Sequence, residues 1–66
     1  MSACMNRGDR VLVRVYGGDT VRRRIWRVTD FGAAICTDAR YEEAVRTGEE
    51  PLTVGFRREY IVEVER

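Results

Sequence analysis

The sequence predicts a mainly β domain: five short strands curled into a small barrel, with one short helix between strands three and four. Three observations carry this expectation. Apolar residues alternate near both ends of the chain, as Val11, Val13 and Val15 and again as Tyr60, Val62 and Val64. Gly17-Gly18 and the stretch "TDFG" (29–32) punctuate the first half as turns. Only residues 38–47 change to a helical period. A flat sheet of strands this short offers little core, whereas curling makes an interior and removes exposed edges.

Taken in order, residues 1–8 are polar and aperiodic and read as a flexible tail, with a single domain over residues 9–66. "RVLVRVY" (10–16) places Val11, Val13 and Val15 on one face and Arg10, Leu12, Arg14 and Tyr16 on the other, a half-buried strand. Gly17-Gly18 supplies the positive φ angles of a hairpin turn, and a second strand follows at about 20–29. A short apolar strand, "AAICT" (33–37), comes after the second turn. In "DARYEEAVRT" (38–47), Tyr41, Ala44 and Val45 fall at i, i+3 and i+4, one narrow stripe of a helix. Asp38 is the expected N-cap, Gly48 the residue that ends the helix, and Glu42 and Arg46 an i, i+4 pair. Leu52, Val54 and Phe56 alternate in a fourth strand; "RRE" (57–59) turns the chain; Tyr60, Val62 and Val64 mark a fifth, with Ile61 breaking the polarity of its other side.

Length and composition exclude more than they select. A chain of 66 residues buries only about 60% of the surface it exposes when unfolded, so its core is thin. Small domains commonly add a metal, a disulfide or a partner subunit. With two cysteines, Cys4 and Cys36, and no histidine, a four-ligand zinc site is out of reach. A Cys4–Cys36 bridge is conceivable, but two unpatterned cysteines make no disulfide framework. No cofactor is implied. The opening residues contain no apolar stretch of the kind a leader peptide carries, and no run approaches the roughly 18 apolar residues of a membrane span. The expectation is a cytoplasmic protein with reduced thiols and no membrane partner, for which self-association is the open route to extra stability.

All twelve basic residues are arginine, and the net charge is +1. That is not the strongly basic balance of a dedicated nucleic-acid binder. The distribution is uneven: residues 1–27 hold seven Arg and two Asp, whereas residues 28–66 hold five Arg against nine acids. If strands one and five are neighbours, outward Arg10 and Arg14 oppose Glu63 and Glu65, and part of the basic half is neutralised.

The end of the chain resembles the Src-homology-3-like barrels. In "GFRREYIVEV" (55–64), Gly55, Phe56, Tyr60 and Ile61 match in kind and spacing the segment that leads into that family's last strand. The resemblance implies a five-stranded barrel with strands one and five paired and a one-turn 3₁₀ segment before the last strand. It covers about ten residues. Arg57 stands where the family's peptide-binding members carry Pro, and Glu59 where Asn is usual, so recognition of proline-rich peptides does not carry over. The alternative is an oligonucleotide/oligosaccharide-binding barrel, which places its helix between strands three and four.

The most charged stretch is "TVRRRIWRV" (20–28). On a strand, Arg22, Arg24 and Trp26 share one face and Arg23, Ile25 and Arg27 the other, and neither face is clean. A bulge between Ile25 and Trp26 lets both point inward. Trp26 is read first as the main core residue, because an aromatic buries 150–250 Å². Exposed between arginines, it is instead a stacking platform for nucleic-acid bases or a protein contact. Candidate binding residues are therefore Arg22, Arg24, Trp26, Arg57 and Arg58. Catalysis is not expected: there is no histidine, and neither Cys36, Cys4 nor Ser2 has an orienting base. The leading functional expectation is a non-enzymatic interaction module that binds another protein or itself. The alternative is a nucleic-acid-binding barrel that uses the Arg/Trp face.

Overall fold

A computed structural model describes residues 5–65 of the chain. Its element order is β1 (Arg10–Arg14), β2 (Thr20–Val28), β3 (Gly32–Cys36), α1 (Asp38–Thr47), β4 (Val54–Arg57), a one-turn 3₁₀ helix (Arg58–Tyr60) and β5 (Ile61–Glu65). The β-β-β-α-β-β order read from the sequence holds, with the strand limits moved by one or two residues. The strands form one antiparallel sheet in the order β4-β3-β2-β1-β5, so β1 joins β5 as well as β2. No ladder joins β4 to β5 among the described residues, and the sheet is not closed.

The core lies on one face of this sheet. Val11, Val13, Ile25, Ala33 and Ile35 are buried there, with Met5, Val15, Val21, Phe56, Ile61 and Val64 packed against them. Val11 and Val13 come from the alternation in β1. Strands β5 and β2 reach the same face by breaking their alternation. In β5, Leu12 opposes Glu63 but Val13 opposes Ile61, which leaves Val62 as an extra residue. The bulge sends Ile61 and Val64 inward together and leaves Val62 about half exposed, contrary to the strict alternation of Tyr60, Val62 and Val64. In β2, Ile25 opposes Ile35 and Arg27 opposes Ala34, so Trp26 is the extra residue. That bulge stands where the sequence suggests one, but it sends only Ile25 into the core.

Helix α1 is capped one residue earlier than expected. Thr37, not Asp38, is the N-cap: its Oγ1 accepts from the Arg40 N–H at 3.2 Å. Its backbone is extended, with φ −74° and ψ 161°, as the cap position requires. At the other end Gly48 adopts φ +79° and its N–H bonds to the Ala44 carbonyl at 2.8 Å. Ala44 and Tyr41 are the side chains that face the sheet, while Val45 points to solvent. Glu42 pairs with Arg24 at 3.9 Å rather than with Arg46.

Residues 5–8 of the polar N-terminal segment run along β2. The Gly8 N–H bonds to the Ile25 carbonyl at 2.7 Å, the Ile25 N–H bonds to Asp9 at 2.9 Å, and Met5 touches the core. Cys4, and with it any Cys4–Cys36 bridge, lies outside the described residues; Cys36 is a buried free thiol. No helix among the described residues is long and apolar enough to cross a membrane.

Candidate interaction surface

The face of the sheet opposite the core carries Arg10 and Arg14, which alternate with the buried Val11 and Val13. Alternation in β2 puts Arg22 and Arg24 there, and Trp26 joins them through its bulge. The structure thus brings together three of the five candidate residues, but each is already engaged within the chain. Arg22 grips Glu65 with two bonds, Nε to Oε1 at 2.8 Å and Nη2 to Oε2 at 3.3 Å. Arg24 donates from Nε to the Gly8 carbonyl at 2.8 Å and from Nη1 to Asp38 at 3.3 Å. Its guanidinium also lies 4.1 Å from the centre of the Tyr41 ring, and only 12% of its side chain is exposed.

Trp26 is half-buried and is not a core residue. Its ring meets Tyr41 edge to face at 5.8 Å and 74°, and the Arg7 guanidinium sits 4.0 Å from its centre. Sequence pattern had no means of finding these partners, because Arg7 and Tyr41 lie 19 and 15 positions from Trp26. The anticipated strand-to-strand charge pairing is also rearranged. Arg10 stands opposite Glu65 in the register, but Arg22 holds that carboxylate and Arg10 turns to Asp38 at 3.6 Å.

Arg57 and Arg58 sit elsewhere, at the end of β4 and the start of the 3₁₀ turn, both exposed. Backbone fixes this corner: the Arg58 N–H bonds to the Phe31 carbonyl at 2.7 Å, which pins the 3₁₀ turn to the β2–β3 turn. Arg57 lies 4.0 Å from Glu59, with both side chains in water, and the Arg58 side chain makes no ion pair among the described residues. Phe31 is exposed beside them.

A feature that sequence reasoning missed lies on the core side of the sheet. Between the hairpin end of β1–β2 and β4 the apolar face stays open, as a groove of about 400 Å³. Val15, Val21, Ile35, Leu52, Val54 and Phe56 line it, together with Arg23 and Arg40 but no carboxylate. Leu52 is 77% exposed and Val54 62%. The alternation of Leu52, Val54 and Phe56 holds, on the core side, and a closed barrel of the kind the sequence predicts would set another strand beside them. Because β5 pairs with β1 and not with β4, none of the described residues covers them and β4 keeps a free outer edge among those residues.

Cys36 borders this groove but is buried, and loss of solvent pushes its thiol up from the usual cysteine range, with Arg24 opposing that shift only in part. The thiolate is the reactive form. In a Cys4→Ser chain, alkylation of the remaining thiol by iodoacetamide at neutral pH is therefore expected to be many-fold slower than in the same chain unfolded in urea. Equal rates would show that Cys36 is neither buried nor shifted.

The class this structure defines is a small mainly β protein: a five-stranded antiparallel sheet with one helix, a paired arginine–aromatic face and an uncovered apolar groove. No family model, curated protein or solved structure matches the chain.

Proposed function

We propose that this chain is a non-enzymatic interaction module, built on a Src-homology-3-like small barrel, that binds protein through the groove beside β4. The observation that carries this reading is the uncovered apolar groove next to a free strand edge. Natural sheets usually blunt or cover such an edge, and an apolar one left open invites another strand. The fold assignment draws its support from the β1–β5 ladder and the 3₁₀ turn before β5, both expected from the resemblance. The helix between β3 and β4 is the one trait that favours the oligonucleotide/oligosaccharide-binding alternative. A binding role also suits the chemistry, since the chain has no histidine and its Cys36 thiol is held protonated.

The nucleic-acid reading draws less support. Stacking bases on Trp26 means displacing Arg7, and freeing Arg22 and Arg24 means breaking their bonds to Glu65, Gly8 and Asp38. Two measurements separate the readings. Anilinonaphthalene sulfonate, an apolar dye with an anionic head, is expected to brighten on the chain at dilutions where single copies leave the groove open, and to lose that gain in Val54→Asp. Fluorescent single-stranded DNA and RNA are expected to show flat anisotropy in low salt. Affinity for these oligonucleotides that falls steeply with salt, with quenching of Trp26, transfers the assignment to the nucleic-acid reading.

A further inference from the structure

The groove is taken here as the interaction surface just proposed, and residues 49–58, "EEPLTVGFRR", say what covers it. Two acids open this segment, two arginines close it and apolar residues alternate between them. Laid antiparallel against a copy of itself, such a segment is complementary in charge. Among the described residues only β3 pairs with β4, so its outer edge is free there, and residues 50–53 lead into it with no ladder of their own.

We infer that two copies of this chain pair antiparallel along the outer edge of β4, about a two-fold axis at Val54, so that each copy covers the other's groove. The register follows from the faces. Val54 and Phe56 oppose Ile35 and Ala33, so they point to the core side, and Gly55, opposite Ala34, points away. A two-fold axis perpendicular to the sheet keeps core side with core side, which requires partners of equal parity. Centring on Val54 then sets Val54 against the partner's Val54, Leu52 against the partner's Phe56, and Glu50 against the partner's Arg58. Symmetry supplies each of the last two pairs twice. The apolar pairs cover the side chains now most exposed on that face, and the outer pairs join opposite charges.

The charges are available for this. Arg58 makes no ion pair within the described residues, and Glu50 has only Arg27, at 3.9 Å with both side chains mostly in water, a contact worth little. The other free edge is guarded. β5 carries Glu63 and Glu65, so pairing it with itself about Glu63 sets carboxylate against carboxylate.

Sedimentation velocity over a concentration series tests the pairing. The wild-type chain is expected to sediment at twice its monomer mass, and Val54→Asp, with two carboxylates meeting at the axis, as a monomer. Glu50→Arg and Arg58→Glu should each weaken the dimer roughly tenfold or more, because like charges then meet twice. An equimolar mixture of the two should restore it, since each supplies what the other lacks. All three positions are exposed, and circular dichroism checks that the variants fold. A dimer indifferent to Val54→Asp and to both charge reversals, or reversals that the mixture does not rescue, overturns the inference. A wild-type chain that stays monomeric at millimolar concentration also overturns it. Should that monomer take up the dye in a Val54-dependent way, the groove keeps its role as a protein-binding surface; a monomer that takes up none removes both.

Discussion

Gly32→Ala is expected to cost most of the stability of this protein, whereas Gly55→Ala, in the neighbouring strand, leaves it almost unchanged. A methyl group on Gly32 falls directly on the Phe56 carbonyl oxygen, with the Arg58 nitrogen 2.7 Å away and the Arg57 carbonyl carbon 2.8 Å away. All three are main-chain atoms, so no side chain can swing aside. Nor can the strand retreat freely. The Arg58 N–H is bonded to Phe31 at 2.7 Å, the Thr29 N–H to Gly32 at 3.0 Å, and the Gly32 N–H to Thr29 Oγ1 at 3.1 Å. Overpacking ordinarily costs about 1–3 kcal/mol, and more where backbone must move. A domain of this length is stable by only about 3–10 kcal/mol. At Gly55 nothing lies within 4 Å of the added carbon, and φ is not in the left-handed region. There the substitution mainly restricts the unfolded chain, an effect below about 1 kcal/mol. Urea melts followed by circular dichroism decide the matter: similar midpoints for the two variants would show that β3 and the 3₁₀ turn do not approach this closely.

Arg24→Ala is the second large effect, and Arg22→Ala is its control. Both arginines lie on the same face of β2 and both hold carboxylates, but their surroundings differ. Arg24 is nearly buried and makes three contacts that tie β2 to its surroundings: with residue 8 through its carbonyl, and with α1 both through Asp38 at its start and through the Tyr41 ring on which it stacks. Its loss strands the Gly8 carbonyl and unpacks Tyr41, at about 2–3 kcal/mol. The Arg22–Glu65 pair is better aligned but 60% exposed on the arginine side, so its removal should cost under about 1 kcal/mol. Unfolding free energies rank the two. A larger loss from Arg22 than from Arg24 would mean that burial is not what separates them.

That contrast also marks what the sequence made legible. Arg22 and Arg24 look alike in "TVRRRIWRV", and period two put them on one face with Trp26, where the structure has them. Their worth depends on Gly8, Asp38, Tyr41 and Glu65, which come close only through the fold. The helix and the five strands were readable because their cues are local: the Gly17-Gly18 turn, the switch of period at residue 38, Gly48 at the helix end. The two bulges were harder, because each adds a single residue and inverts everything beyond it. Val62 and Ile61 exchange sides for that reason. The open groove was hidden in a different way. Leu52, Val54 and Phe56 do face the core side, and only the choice of neighbour for β5 decides whether anything lies over them.

The ladder between β1 and β5 sets when folding can finish. It joins Arg10 to Glu65, 55 positions apart, while β1, β2 and β3 follow one another along the chain. On a translating ribosome those three strands can pair as they emerge. Val11 and Val13 then wait with one flank bare until Ile61 and Val64 leave the exit tunnel, since loops this long are closed last. The interval before that is when the nascent protein is most open to wrong company.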